Sequence, residues 1–301
     1  MIHWILSIVT TIRSDEDLKA VLKGKKFVEG DCGWLFLTSD GNDQLSQQFG
    51  FQKWNDEEEA RANKVVADRI KIIPSYKKFL VPEKSILYRE YLPMLLKNLE
   101  DYKGRPCLQL QGAVYLIDCL EKAKPMGSLY PRGDTHPNWM GSYFLYAEIC
   151  RQLNIVPLHL KQFVQTLAGF DGDLVAHMTD EERQDYLDRV HHFAFTLDSV
   201  VQLQVIVPRA VCIGDDGYDK FSRQSFVYEH ENKELPKAVV FRDSTCQFMV
   251  PWLAEHFSRS VFIWHRGDVI AEVIEREKPD IVFQIMAERF VWRYPARASL
   301  S

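Results

Sequence analysis

Lys237-Ala238-Val239-Val240-Phe241-Arg242-Asp243-Ser244 is the stretch that decides the fold. Ala238 to Phe241 is a short apolar run, which reads as a strand. An amphipathic stretch to about Phe257 follows it, with Phe248, Met249, Trp252, Leu253, His256 and Phe257 on one side. Beyond it lie Val261-Phe262-Ile263-Trp264, a helical segment from Val269 to Glu275, and Asp280-Ile281-Val282-Phe283-Gln284-Ile285. Strands alternating with helices in this way predict a parallel sheet with helices on its faces.

Upstream, residues 165–235 have another texture. Gly172-Asp173 and Gly214-Asp215-Asp216-Gly217 mark turns, Val201 to Val207 alternates as a strand, and one helix is expected near 179–190. Nearer the N-terminus, helices are expected over 13–26, 56–74, 90–100, 113–124 and 138–153. Strands are expected at Gly33 to Thr38, Phe79 to Pro82 and Cys107 to Leu110, with a turn at Ser39-Asp40-Gly41-Asn42. The acidic run Asp56-Glu57-Glu58-Glu59 suits a solvated first helical turn. Pro251 is expected to kink the helix after Ser244 or to delay its regular part.

Ligands of parallel α/β sheets bind outside the carboxyl ends of the strands. Ser244 stands at such an end, where N–H groups of a helix start can receive a developing oxyanion. A serine hydroxyl needs a base to become a nucleophile, and a histidine base needs a carboxylate to hold its tautomer. Asp134-Thr135-His136, between a Gly/Pro-rich loop and a helix, supplies both groups in one turn. D-x-H is a weak motif alone: Asp134 also suits a turn or cap, and a serine after a strand is commonly an N-cap. Tyr130, Arg132, Trp139 and Arg242 are candidate substrate-binding groups beside these residues, although aromatics in loops also simply pack. Arg242 and Asp243 suit an ion pair or turn equally well. His256 reads as a helix-surface or core histidine. Asp188 and His192 lie four apart, with His191 adjacent, but no third ligand accompanies them, so no metal site is expected. No cofactor is expected either.

Several short segments, taken in order, resemble the AlgX/AlgJ family of alginate O-acetyltransferases. They are Asp31-Cys32-Gly33-Trp34-Leu35-Phe36-Leu37, Val81-Pro82-Glu83-Lys84, Tyr130-Pro131-Arg132-Gly133-Asp134-Thr135-His136, Gly172-Asp173-Leu174, Phe241-Arg242-Asp243-Ser244, Lys278-Pro279-Asp280 and Glu288-Arg289-Phe290. The resemblance runs from about residue 24 to 293 and is weakest over 176–225. It implies an SGNH-hydrolase-like three-layer α/β fold with a mainly parallel sheet and a β-rich insertion. The chain would then be a single catalytic domain over 1–301, with its core at about 24–164 and 236–293 and the insertion at about 165–235.

The implied activity is transfer of an acetyl group to polysaccharide hydroxyls through an acyl-serine. In that scheme Asp134 orients, His136 acts as base and then acid, and Ser244 is the nucleophile. A carbohydrate acetylesterase of the same fold and a non-catalytic glycan-binding or assembly subunit are the alternatives. The implied partners are a polysaccharide or oligosaccharide acceptor and an acetyl donor, which a membrane O-acyltransferase could deliver. Two departures touch the site: Pro137-Asn138 stand between His136 and Trp139 where the family has Trp directly after the histidine, and Thr245-Cys246 follow the serine where Phe-Gly is usual.

Bulk properties set the outer limits. The 301 residues carry 37 Lys and Arg against 42 Asp and Glu, a net charge of −5, so nothing favours a nucleic-acid partner. The six cysteines, Cys32, Cys107, Cys119, Cys150, Cys212 and Cys246, form no C-x-x-C pair; most of them read as small buried residues, with disulfides open to some in an oxidising compartment. The apolar start, Met1 to Thr11, is too short to span a bilayer and fits a signal peptide poorly, so a packed helix or strand is expected there. As written the chain reads as cytoplasmic without a transmembrane segment, while the resemblance implies a periplasmic setting.

Overall fold

Lys237–Arg242 is an internal strand with a partner on each side, so both of its faces are covered. This explains why its residues are apolar without alternation. The computed structural model describes residues 12–22, 25–38, 41–168, 172–197, 200–222 and 224–301. Its strands are β1 (Phe27–Glu29), β2 (Leu35–Leu37), β3 (Tyr76–Val81), β4 (Ala113–Tyr115), β5 (Phe163–Ala168), β6 (Val200–Val205), β7 (Ala210–Gly214), β8 (Phe226–His230), β9 (Lys237–Arg242), β10 (Arg259–Trp264) and β11 (Ile281–Ala287).

Seven strands make one mixed sheet in the order β4-β3-β11-β9-β10-β8-β7. The first five run parallel. β8 and β7 extend that sheet antiparallel at one side. On one face Phe79, Val81, Val240, Phe262, Phe283 and Ile285 pack with Leu120 of the helix Ile117–Ala123 and with Leu145, Tyr146 and Ile149 of the helix Trp139–Gln152. On the other face Leu80 and Met286 pack with Ala62, Val65 and Val66 of the helix Asp56–Ile72, and Val239, Val261 and Val282 pack with Val273 of Ala271–Glu277. Each fully buried side chain of this kind contributes roughly 1.5–3 kcal/mol relative to exposure.

The long helix starts as its sequence predicts. Asn55 Oδ1 accepts the Glu58 N–H at 2.9 Å, and Glu58 Oε2 accepts the Asn55 N–H at 2.9 Å, a reciprocal cap. Within 165–235, β5 and β6 pair with each other, the helix Asp180–Leu197 lies between them in sequence, and β7 and β8 belong to the main sheet.

Three sequence expectations are corrected. Cys107 to Leu110 is not a strand: Pro106 opens the helix Pro106–Gln109, where its missing N–H costs nothing. Ala113 to Tyr115 is not helical but forms β4, parallel to β3, and the helix begins only at Ile117. Residues 90–100 hold no continuous helix but the end of a 3₁₀ turn, Arg89–Tyr91, and one α-helical turn, Met94–Lys97, after Pro93.

After Ser244 the chain makes a 3₁₀ segment, Ser244–Met249, before the α-turn Val250–Ala254 that Pro251 helps to start. All six cysteines are free; Cys107, Cys150 and Cys246 are buried, but Cys119 is half-buried and Cys32 and Cys212 are exposed, so the reading of most of them as buried holds for three of the six. Among the described residues, no helix is long and apolar enough to cross a membrane. The expectations for residues 1–11, for residues 39 and 40 of the predicted turn, and for the His191 and His192 side chains lie outside the described residues.

Candidate active site

Three parallel strands end at one edge of the sheet, β3 and β11 level with each other and β9 two residues short of them. The pairings Ala287 with Val81 and Ile285 with Arg242 place the carboxyl ends of β3, β11 and β9 side by side. Out of these ends run Pro82-Glu83-Lys84, Glu288-Arg289 and Asp243-Ser244. The edge is tied together by buried polar groups. Arg289 Nη1 meets the two Glu83 carboxylate oxygens at 2.9 and 2.7 Å, and Glu288 Oε1 accepts the Glu83 N–H at 3.0 Å.

The loop carrying Asp134 and His136 is strapped onto this edge. Lys84 Nζ donates to the carbonyls of Pro131, Arg132 and Asp134 at 3.2, 2.8 and 2.5 Å. Tyr130, fully buried, donates its hydroxyl to the Pro82 carbonyl at 2.6 Å. Arg132, also buried, donates to the Cys32 carbonyl at 2.6 Å, and its own carbonyl accepts the Leu35 N–H. Both side chains therefore act as struts beneath the loop.

Asp134 is 3% exposed. Its Oδ1 accepts the His136 backbone N–H at 2.6 Å and stands 2.8 Å from His136 Nδ1, which fixes Nδ1 as the protonated ring nitrogen and leaves Nε2 outward. Its Oδ2 accepts the Asp173 N–H at 2.7 Å. Asp173 in turn accepts from Thr135 N at 2.8 Å and Thr135 Oγ1 at 2.5 Å, and its Oδ2 lies 3.6 Å from His136 Nδ1.

Burial alone would raise the Asp134 pKa, but the hydrogen bond and charge of His136 outweigh it and hold the carboxyl below its usual value. Burial alone would likewise lower the His136 pKa; Asp134, helped by Asp173, holds it above the ordinary imidazole value, with Arg289 opposing. Asp173 is the residue that the triad reasoning missed. Gly172 was its signal: φ is +86°, and a Cβ there would sit 2.2 Å from the Gly133 carbonyl oxygen, so this backbone approach needs glycine.

Asp134, His136 and Asp173 are the one group of three potential metal ligands among the described residues. Every carboxylate oxygen of the group already accepts a protein N–H or O–H, and the histidine turns Nδ1 inward. The arrangement orients an imidazole and forms no open cage.

Ser244 is half-buried at the end of β9. The cap of the following turn is Asp243, not the serine: Asp243 Oδ1 accepts Thr245 N at 2.9 Å, and Oδ2 accepts Ala287 N at 2.7 Å. Cys246 N bonds the Asp243 carbonyl at 3.4 Å. Of the first N–H groups, that of Ser244 itself has no partner among the described residues. Neither has the Ser244 hydroxyl, and no hydrogen bond joins it to His136.

The two halves meet through aromatic packing. Trp139, three residues after His136, stacks on Phe248, four residues after Ser244, with ring centroids 4.1 Å apart. Both rings are half-buried. Arg242 does not face this junction: it is 1% exposed, donates to the Gln224 carbonyl at 2.9 Å, and lies between the rings of Phe226 and Trp264. His256 pairs with the Tyr146 hydroxyl at 2.6 Å, and burial pushes its pKa down to about 4.

No protein-family model matches the chain, and no curated protein matches it in sequence. Solved structures do. A DHHW family protein from Eubacterium siraeum superposes with a TM-score of 0.62 at 17% identity, covering 91% of this chain and 99% of that one. PatB1 of Bacillus cereus, solved with a sulfonyl adduct, gives 0.58 at 13% identity, covering 89% and 97%. The O-acetyltransferase domain of AlgJ from Pseudomonas putida gives 0.48 at 16% identity, covering 90% and 93%. The first two establish the likeness of fold, and the resemblance read from the ordered motifs is borne out at that level.

Proposed function

We propose that this chain is an enzyme of carbohydrate O-acyl esters, built on an SGNH-hydrolase-like layered fold, in which the acyl group passes through Ser244. What supports the reading is the Asp134–His136 pair: a buried carboxylate stands 2.8 Å from Nδ1, which leaves Nε2 free to handle a proton, and Ser244 follows the carboxyl end of β9. A carboxylate-held imidazole is the base that a serine nucleophile requires.

In the proposed reaction Ser244 Oγ bonds to the ester carbonyl carbon while His136 Nε2 takes the hydroxyl proton. The carbonyl oxygen becomes an oxyanion, for which the Ser244 N–H is the available donor. Collapse breaks the bond to the leaving oxygen, which receives the proton from His136, and an acyl-serine remains. Water or a sugar hydroxyl then gives its proton to His136 and bonds to the acyl carbon, and collapse breaks the bond to Ser244 Oγ, which takes that proton back from His136. The His136 side chain is 26% exposed and that of Asp173 is 40% exposed, so water reaches this edge. Hydrolysis is the turnover such an open site supports directly, which makes the acetylesterase reading the first one to test. Transfer to a polysaccharide hydroxyl, as the family resemblance implies, follows the same steps with a sugar in place of water and a donor ester brought by a partner.

The test is acetate release from a chromogenic acetyl ester and from an acetylated oligosaccharide. Ser244→Ala and His136→Ala are expected to lose nearly all turnover with unchanged thermal melting. Substantial turnover in the Ser244→Ala protein would remove the serine from the chemistry. Binding of the oligosaccharide without turnover in the unsubstituted chain would make it a glycan-binding subunit.

A further inference from the structure

Asp173 is followed by Leu174 and Val175, two fully buried residues that stand apart from the clusters covering the main sheet. They pack with Leu35 of β2 and with Tyr186 and Val190 of the helix Asp180–Leu197 in a small cluster of their own. β1 and β2 likewise pair with each other and not with the seven-stranded sheet among the described residues. The loop that carries the imidazole is thus braced from one side by a satellite that the main sheet does not build.

The helix is seated closely in that satellite. Thr179 Oγ1 accepts the Glu182 N–H at 3.3 Å and Glu182 Oε2 accepts the Thr179 N–H at 2.8 Å, a reciprocal cap that fixes its start. Tyr186 and Val190, four residues apart, share one face. Tyr186 donates its hydroxyl to the Gly33 carbonyl at 2.8 Å. Gly33 has φ +75°, and a Cβ there would stand 2.2 Å from Val190 Cγ1, so the helix fits because residue 33 has no side chain. Arg189 closes the contact on the outside, its Nη1 and Nη2 2.5 and 3.1 Å from the Glu29 carboxylate of β1. Gly33-Trp34-Leu35, for which the site itself has no use, is the seat of this helix.

From the seat to the base is a short chain of bonds. The Leu174 N–H donates to the Gly133 carbonyl at 3.0 Å and the Asp173 N–H to Asp134 Oδ2 at 2.7 Å. The Asp173 carboxylate accepts the Thr135 N–H at 2.8 Å and stands 3.6 Å from His136 Nδ1. The charged groups that face the His136 ring are Asp134 and Asp173, which favour the imidazolium, and Arg289, which opposes it. Of the three, Asp173 belongs to the segment that the helix holds.

We infer that Tyr186 and Val190 are positioning residues for the base: seated on Gly33, they clamp residues 172–175 so that Asp173 faces His136 and braces Asp134. The inference rests on the proposed role of His136 in the ester reaction.

The test follows the His136 ring by NMR across pH in the full chain, a readout that needs no substrate. Asp173→Asn should move the ring midpoint to lower pH by about 0.7 unit, which is about a fivefold change in the ratio of charged to neutral imidazole. Val190→Asn and Gly33→Ala should move it the same way by at least about half as much, with the acidic limb of ester turnover following. Adding Asp173→Asn to Val190→Asn should carry it no more than about 0.2 unit beyond Asp173→Asn alone, because both changes act through one carboxylate. Tyr186→Phe removes only the bond to the Gly33 carbonyl; it should give a smaller displacement of the same sign, and it serves where the other variants fail to fold. A midpoint that stays in place in the folded seat variants overturns the inference, as do displacements from Val190→Asn and Asp173→Asn that add in full. A chain without ester turnover would sink the proposed reaction, and the ring titration would still decide the clamp.

Discussion

Replacing Asp173 with Asn removes a negative charge 3.6 Å from His136 Nδ1 and keeps an oxygen to accept the Thr135 N–H. Two unit charges at that distance interact by about 1 kcal/mol when water screens them, and by roughly 4–5 kcal/mol at an intermediate effective dielectric. The Asp173 side chain is 40% exposed and that of His136 26%, so the screened figure applies. About 1 kcal/mol corresponds to roughly a fivefold change in the ratio of charged to neutral imidazole. The sign is fixed, because Asp173 favours the imidazolium and its loss favours the neutral ring.

A general base must be neutral to act. At any pH on the acidic limb, the Asp173→Asn protein should therefore turn over ester roughly fivefold faster, with the limb displaced toward lower pH and the plateau retained. The assay is kcat/KM for a chromogenic acetyl ester from about pH 5 to 9. An NMR titration of the His136 ring in the same variant reads the effect without turnover. An acidic limb and ring titration that stay in place, or that move to higher pH, would refute the electrostatic assignment.

Asp134→Asn should differ from this in kind: it misdirects the imidazole tautomer and is expected to lower kcat by about 10⁴ at all pH values, measured with the same ester. Gly172→Ala meets both a left-handed backbone and the Gly133 carbonyl oxygen 2.2 Å from the new Cβ; a loss of about 2 kcal/mol or more in urea unfolding is expected, together with reduced turnover. Stability should also carry the signature of the Asp134–His136 pair. The lowered Asp134 pKa stabilises the fold above about pH 4 and is lost as pH falls through its depressed folded value, whereas the raised His136 pKa stabilises fully below about pH 6.5 and is lost as pH rises through its elevated folded value. The stability difference between the unsubstituted chain and His136→Asn should thus be greatest between about pH 4 and 6.5, as followed by denaturant unfolding across pH. Trp139→Ala removes the ring stacked on Phe248 and should raise KM for an acetylated oligosaccharide by about tenfold while sparing a small chromogenic ester. Equal losses on both substrates would make Trp139 a packing residue only.

The parallel strands were legible because burial on both faces leaves a simple mark. β9, β10 and β11 are short apolar runs separated by helical stretches, and each was located to within a few residues. β4 escaped because three residues, Ala113 to Tyr115, are too few to show a period and merge with the helix after them. The Cys107 segment misled for a similar reason, although Pro106 carried the helical signal. Membership of β7 and β8 in the main sheet is a matter of long-range pairing, which no local pattern encodes. At the candidate site, Asp134 and His136 were legible since their partnership spans two residues. Asp173 was not, because its role depends on a contact made 37 residues after His136 and visible locally only as a glycine turn.

That contrast bears on how the two halves of the site must work together. The imidazole is fixed: its Nδ1 is held by a buried carboxylate, and that carboxylate is itself held by the Asp173 N–H. Ser244 is held differently. Its backbone is placed by the register of β9 against β11 and by the cap that Asp243 makes with Thr245 and Ala287, while its hydroxyl has no hydrogen bond among the described residues. Turning the imidazole would break charge-assisted bonds, whereas turning the serine about χ1 only exchanges one staggered rotamer for another. In the proposed reaction the adjustable member of the pair would therefore be the serine. If the proposed reaction holds, an ester seated at the end of β9 would meet a preset base and an adjustable nucleophile, and the acceptor of the acyl group, water or a sugar, would be decided by what fills the side next to Trp139 and Phe248.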